Sequence, residues 1–228
     1  MSTGQEPILI NVGSERTSAI WQPAANPKAA LALGHGASVG KDHATMERLA
    51  QIFCERGISV MRFNFLYMER KSGPPDRMPK LQECFAAVAE RMRELAEADR
   101  ILIGGHSMGG RAASMLASEG FPCSGAVLLS YPLHPSGQPE KLRFDHLKQI
   151  AVPVLCMNGT RDDLCDRALM ESLLPQLPAS FTMHWLEGAD HGYHVLKRSG
   201  RTVPDVFNEI SSTTAAWISR FVLASGPG

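Results

Sequence analysis

A serine flanked by glycines, Gly105-His106-Ser107-Met108-Gly109, is the part of this 228-residue chain with the clearest chemical consequence. The pattern G-x-S-x-G follows an apolar run at 101–104 and leads into helix-forming residues at 111–116. In that strand-turn-helix context the turn is so tight that the residues two positions either side of the serine must lack side chains. Its effect is to display Ser107 Oγ as a nucleophile. A serine hydroxyl is weak near neutral pH, so it needs a base, and the base needs a carboxylate to hold its tautomer.

The order expected after such an elbow is acid, then histidine. An apolar run at 152–157 is followed by Asn158-Gly159-Thr160-Arg161-Asp162-Asp163, and a second run, Phe181–Leu186, by Glu187-Gly188-Ala189-Asp190-His191-Gly192. Asp162 is the expected acid and His191 the expected base. Asp163 is the near rival for the acid, and an aspartate in this turn also suits a helix N-cap. His194 is the rival base; His184 alternates within a strand pattern and reads as structural.

Acyl transfer also needs an oxyanion hole, which backbone N–H groups supply where the chain approaches closely. The segment Leu33-Gly34-His35-Gly36-Ala37 ends an apolar run, so the N–H groups of Ala37 and Met108 are the expected pair. Nucleotide loops do not fit the same segment. Gly36 and Gly40 are too close for a P-loop, Asp42 stands where Ser or Thr would bind magnesium, and Val39 occupies the third glycine position of a dinucleotide loop. Zinc is disfavoured as well, because His191 and His194 lack the metalloprotease spacing and no cysteine pair supports them.

These residues need a scaffold that brings distant segments together. Short strands at Ile8–Val12 and 17–22 are predicted to pair antiparallel. From there strands at Ala29–Gly34, Ile58–Phe63, 100–104, 126–130, 152–157 and Phe181–Leu186 alternate with helices at 43–56, 80–98, Met108–Ser118, 167–174 and 205–222. Such alternation demands right-handed crossovers and a mostly parallel sheet covered on both faces, with ligands beyond the carboxyl ends of its strands. The fold class is therefore α/β, a single domain over residues 1–228.

Balanced charge, with 23 basic and 23 acidic residues, removes the field that a nucleic-acid or anionic-membrane binder would use. No apolar stretch is long enough to cross a bilayer, and residues 1–7 lack the pattern of a secretory signal. The odd count of five cysteines, with no C-x-x-C pair, suits reduced thiols in a cytoplasmic protein.

On Gly34-His35-Gly36, the elbow, Gly159 to Asp162 and Asp190-His191-Gly192, the chain resembles the α/β-hydrolase superfamily over nearly its whole length. Phe63-Asn64-Phe65-Leu66-Tyr67-Met68-Glu69, Pro74-Pro75-Asp76 and Tyr131-Pro132-Leu133-His134-Pro135 are similar to a dienelactone-hydrolase-related subgroup, the one named for a testis-expressed protein and a subunit of the nonspecific-lethal chromatin complex. The resemblance implies the α/β-hydrolase fold, the triad roles and a metal-free, cofactor-free site. Dienelactone hydrolases proper use a cysteine nucleophile, so Ser107 favours generic ester hydrolysis over their lactone activity.

Only about twenty residues separate Ser130 from the next predicted strand, too few for a helical lid domain. The expected substrate is therefore a small acyl ester in an open site. His35, Phe65, Tyr67 and Met68 are the expected substrate-binding residues, the last three on a 64–79 loop overhanging the pocket. That loop's charges, Glu69, Arg70, Lys71, Asp76 and Arg77, could recognise an acidic substrate but read first as solvated, and Arg111 reads as a helix-surface or ion-pair residue. A thioesterase or perhydrolase would use the same triad; a non-catalytic interaction module on a hydrolase scaffold is the reading from another class. Oligomeric state is left open.

Overall fold

A computed structural model describes residues 7–71 and 73–223. The signal-peptide reading at residues 1–6 and the ends of the 1–228 domain lie outside the described residues. The strands are β1 (Ile8–Val12), β2 (Glu15–Gln22), β3 (Ala29–Gly34), β4 (Ile58–Phe63), β5 (Ile101–His106), β6 (Gly125–Leu129), β7 (Val154–Gly159) and β8 (Phe181–Leu186). They form one eight-stranded sheet in the order β1-β2-β4-β3-β5-β6-β7-β8. β1 and β2 pair antiparallel, β2 runs antiparallel to β4, and every other neighbouring pair is parallel.

Helices cover both faces: α1 (Ala44–Cys54), α2 (Leu66–Glu69), α3 (Met78–Leu95), α4 (Met108–Ser118), α5 (Arg167–Leu173) and α6 (Val203–Trp217). β3 shows how strand periodicity divides the core. Leu31 and Leu33 join the apolar layer under α1 and α6, while Ala30 and Ala32 join the layer under α3 and α4. Small residues on that second face let α4 lie close to the sheet, where it must be if its first residue is to follow Ser107.

Boundaries moved for local reasons. The helix expected at 80–98 starts at Met78, because Pro79 fits a first turn whose N–H groups have no intrahelical acceptor. The last helix starts at Val203 and not at residue 205: Thr202 caps it and the Asp205 side chain returns the bond, completing a capping box. It passes at Ile218–Val222 into a π-helical turn. Within the segment expected as a loop, Leu66–Glu69 forms a helical turn. Between β6 and β7 the chain makes a short 3-10 helix, Asp145–Gln149, packed on α4, with no lid domain.

All parallel strands end at one rim. That rim carries Ala37 after β3, Ser107 after β5, Asp162 after β7 and His191 after β8.

Candidate active site

Ser107 joins β5 to α4 with φ 54° and ψ −117°, a left-handed backbone that ordinary residues avoid. The elbow closes only because its glycines lack side chains: a Cβ on Gly105 would stand 2.4 Å from Gly34 O, and one on Gly109 would stand 2.2 Å from it. Two further non-glycine residues near the rim are left-handed, Ser130 after β6 and Tyr193 after His191.

The three side chains expected to cooperate meet. The Ser107 hydroxyl lies 2.9 Å from His191 Nε2, and His191 Nδ1 lies 2.9 and 3.0 Å from the two oxygens of Asp162. The carboxylate can only accept, so Nδ1 carries the proton and Nε2 is free to receive the bond from Ser107 O–H. The Asp162 side chain is buried and that of His191 partly open. Asp162 Oδ1 also accepts from the Leu164 N–H at 2.9 Å, and Oδ2 accepts from Asn158 Nδ2 at 3.1 Å. Its two oxygens are thus fixed before the imidazole arrives.

The rivals do other things. Asp163 is exposed. The helix cap expected in this turn belongs to Asp166, whose carboxylate accepts from the Leu169 N–H at 2.7 Å. His194 is exposed, with Nδ1 3.3 Å from Asp190. His184 bonds Glu209 at 2.8 Å, the structural role its strand position suggested.

Ala37 is exposed at the rim, and Met108 is the first residue of α4, where an N–H has no intrahelical acceptor. The peptide that carries the Ala37 N–H is pinned from behind. His35 Nε2 accepts from the Phe65 N–H at 3.0 Å, which leaves Nδ1–H to donate to Gly36 O at 2.7 Å. Tyr67 O–H donates to Ala37 O at 2.7 Å. Burial keeps the imidazole of His35 neutral, with its pKa lowered to about 4, and pushes the Tyr67 phenol up to about 12.

This corrects the expected substrate contacts. His35, Phe65 and Tyr67 are buried, and Met68 is half-buried against the core; none lines the cavity at Ser107. The cause is the α2 turn, which returns the chain inward, and the edge-on stacking of Phe65 on Phe63 with ring centres 5.0 Å apart. The charges of this segment are also largely spent within the fold: Arg70 pairs with Glu15 and Asp76, and Glu69 accepts from Ser18 and Asn64.

The cavity at Ser107 has a volume of about 510 Å³ and is walled by Gly36 to Val39, His43, Thr45, Met46, His106, Leu164, His191, Gly192 and His194. Sequence reasoning missed most of this wall because it comes from the loop after β3 and the start of α1. His106 was visible as the residue before the serine. Its Nε2–H donates to the His191 carbonyl at 3.0 Å, and burial, with the neighbouring His191, lowers its pKa to about 4. A larger cavity of about 770 Å³ lies on the other side of Asp162, lined by residues including His134, Thr160 and Arg167 but by neither Ser107 nor His191.

Among the described residues no group of His, Cys, Asp and Glu side chains could hold a metal ion, and no helix is long and apolar enough to cross a membrane. The chain belongs to the alpha/beta hydrolase domain family, which it matches over residues 27–219. Its fold is similar to that of a lidless serine hydrolase from Xanthomonas campestris (19% identity, 99% of both chains covered, TM-score 0.75). An alpha-beta serine hydrolase homologue from Coxiella burnetii is similar over 91% of this chain and 96% of its own (17% identity, TM-score 0.75). Dienelactone hydrolase from Anabaena variabilis is similar over 96% and 98% (17% identity, TM-score 0.71), so the chain is an α/β-hydrolase of dienelactone-hydrolase-like fold.

Proposed function

We propose that this protein is a single-domain serine hydrolase of small acyl esters, working through an acyl-Ser107 intermediate without metal or cofactor. In this reading His191 Nε2 takes the proton of Ser107 O–H as Oγ attacks the ester carbonyl. The tetrahedral oxyanion is held by the N–H groups of Ala37 and Met108. Collapse breaks the ester C–O bond, and His191 returns the proton to the departing alcohol. One water molecule, deprotonated by the same nitrogen, then releases the acid and restores Ser107. Asp162 holds the imidazole in the required tautomer and stabilises its cation.

The observation that carries the reading is the unbroken chain from Ser107 Oγ through His191 to a buried Asp162, each link at 2.9 to 3.0 Å. The lidless rim favours short acyl groups over long lipids, and the odd cysteine count favours a cytoplasmic setting. The test is hydrolysis of a p-nitrophenyl acyl-chain series, with fluorophosphonate labelling of the wild type and of Ser107→Ala. Turnover of the short esters and labelling that both vanish in the variant support the reading. Unlabelled wild type without turnover refutes it.

A further inference from the structure

Val39 and Leu164 are half-buried, yet among the described residues neither packs into the apolar layers on the two faces of the sheet. Both stand on the wall of the cavity at Ser107. Met46, the other large aliphatic side chain of that wall, is fully buried in the layer under α1 and α6 and belongs to the core. The apolar surface of Val39 and Leu164 is therefore left to whatever enters the cavity.

Leu164 is held at the triad itself. Its N–H donates to Asp162 Oδ1 at 2.9 Å, and its carbonyl accepts from the His134 N–H at 3.1 Å. Asp163 and Cys165, on either side of it in the chain, line the larger cavity beyond this loop and not the one at Ser107, so of the three only Leu164 is on the Ser107 side. Val39 closes a turn in the loop after β3, its N–H donating to Gly36 O at 3.4 Å. In the sheet β5 lies between β3 and β7, so Val39 and Leu164 flank Ser107 from opposite sides of the rim. An ester likewise has two arms, and they diverge from the carbonyl carbon that the serine attacks.

Among the described residues the wall carries no aspartate, glutamate, lysine or arginine; Arg111, one turn into α4, is not part of it. A carboxylate drawn into this cavity would lose water with no lysine or arginine to meet. We propose that the substrates are uncharged esters with an apolar group on both the acyl and the alcohol side, and that Leu164 and Val39 each limit the length of one of those groups. The proposal rests on the ester-hydrolase reading and names its substrate class. One methylene more or less in an apolar pocket changes kcat/KM by about tenfold or more, so two side chains suffice to set the preference.

The experiment runs two ester series on the wild type, Leu164→Ala and Val39→Ala, at about pH 8, above the ordinary imidazole value of about 6.5. One series lengthens the acyl group of p-nitrophenyl esters from butyrate to octanoate; the other lengthens the alcohol of butyrate esters from methyl to hexyl. Each variant is expected to raise the long-to-short ratio of kcat/KM at least about tenfold in one series, and the two variants in different series. The ratio is read within each variant, so a general loss of activity does not enter it. Wild type is expected to favour p-nitrophenyl butyrate over the hemisuccinate at least about tenfold. Thermal melts report folding, and Leu164→Val, with a smaller shift of the same sign, replaces an alanine variant that does not fold. Unchanged ratios in either variant, both variants relaxing the same series, or hemisuccinate turned over as well as butyrate overturns the proposal.

Absence of turnover on every ester would count against the hydrolase reading and not against the two walls. The esters then serve as ligands in equilibrium dialysis. Binding of p-nitrophenyl octanoate at least about tenfold tighter to one variant than to wild type, and of hexyl butyrate to the other, upholds the proposal; binding equal to wild type refutes it.

Discussion

The Asn158 side chain ties Asp162 to the neighbouring strand. Its Nδ2 donates to Asp162 Oδ2 at 3.1 Å and to Tyr131 O at 2.9 Å, while its Oδ1 accepts from the Tyr131 N–H at 3.0 Å. Asn158 is the penultimate residue of the apolar strand β7 and is fully buried, so an amide there is satisfied only by this geometry. The position of the carboxylate is thereby referred to the backbone just after β6.

Asn158→Ala is expected to lower kcat by about 5- to 150-fold, the range that ~1–3 kcal/mol for an unsatisfied buried partner implies. KM for a small ester should change little, because Asn158 is not on the cavity wall. Steady-state kinetics with a folded variant checks this; an unaltered kcat would remove Asn158 from any positioning role.

The two adjacent aspartates should separate cleanly. Asp162→Asn leaves the shape but no longer fixes the tautomer of His191, and a loss of about 10⁴ in kcat is expected. Asp163→Asn, at an exposed position, is expected to stay within about twofold of the wild type. Equal losses in the two variants would contradict the assignment of the acid.

Stability is expected to fall on acidification before the ordinary carboxylates titrate. His35, His106 and His146 each have a pKa lowered from 6.5 to about 4 in the folded chain, chiefly by burial. The unfolded chain binds protons near pH 6.5 that the folded chain refuses until about pH 4. The stabilisation is complete above pH 6.5 and is lost as pH falls through that window, by up to about 1.4 kcal/mol per pH unit for each fully excluded proton. Thermal melts between pH 7 and 4.5 test it, and His35→Gln should flatten the slope.

Gly159 lets the loop carrying Asp162 touch the loop carrying His191: a Cβ there would stand 2.1 Å from Ala189 O. That neighbour is backbone and cannot rotate away. Gly159→Ala should destabilise the fold by about 1–3 kcal/mol and depress kcat, read by chemical denaturation and ester turnover. A variant as stable and active as the wild type would show that the loops are not held by this contact.

The candidate site was legible in the sequence where one residue type has few uses. The elbow glycines, the serine and the aspartate and histidine loops after apolar runs all rest on local constraints, and the helix Met108–Ser118 has the expected bounds. The pocket wall was not legible. Phe65 and Tyr67 read equally well as overhanging or as core, and the outcome depended on α2 turning inward over Gly36 and Ala37. Asn158 did leave a signal, a lone amide closing an otherwise apolar strand. What hid its role was the partner, Tyr131, which is remote in the chain and reached only through sheet order.

The left-handed backbones of Ser107, Ser130 and Tyr193 have φ of 54°, 47° and 70°, and such conformations store on the order of 1–3 kcal/mol each. Selection for heat resistance alone would find some of its easiest gains at these positions, by substituting glycine or by letting the chain relax. Ser107 is closed to that route, since relaxing it withdraws the hydroxyl. Tyr193 is closed to it as well, because its ring is fully buried and a glycine there would leave a cavity, so a thermally hardened descendant that stays active should have changed at Ser130 first.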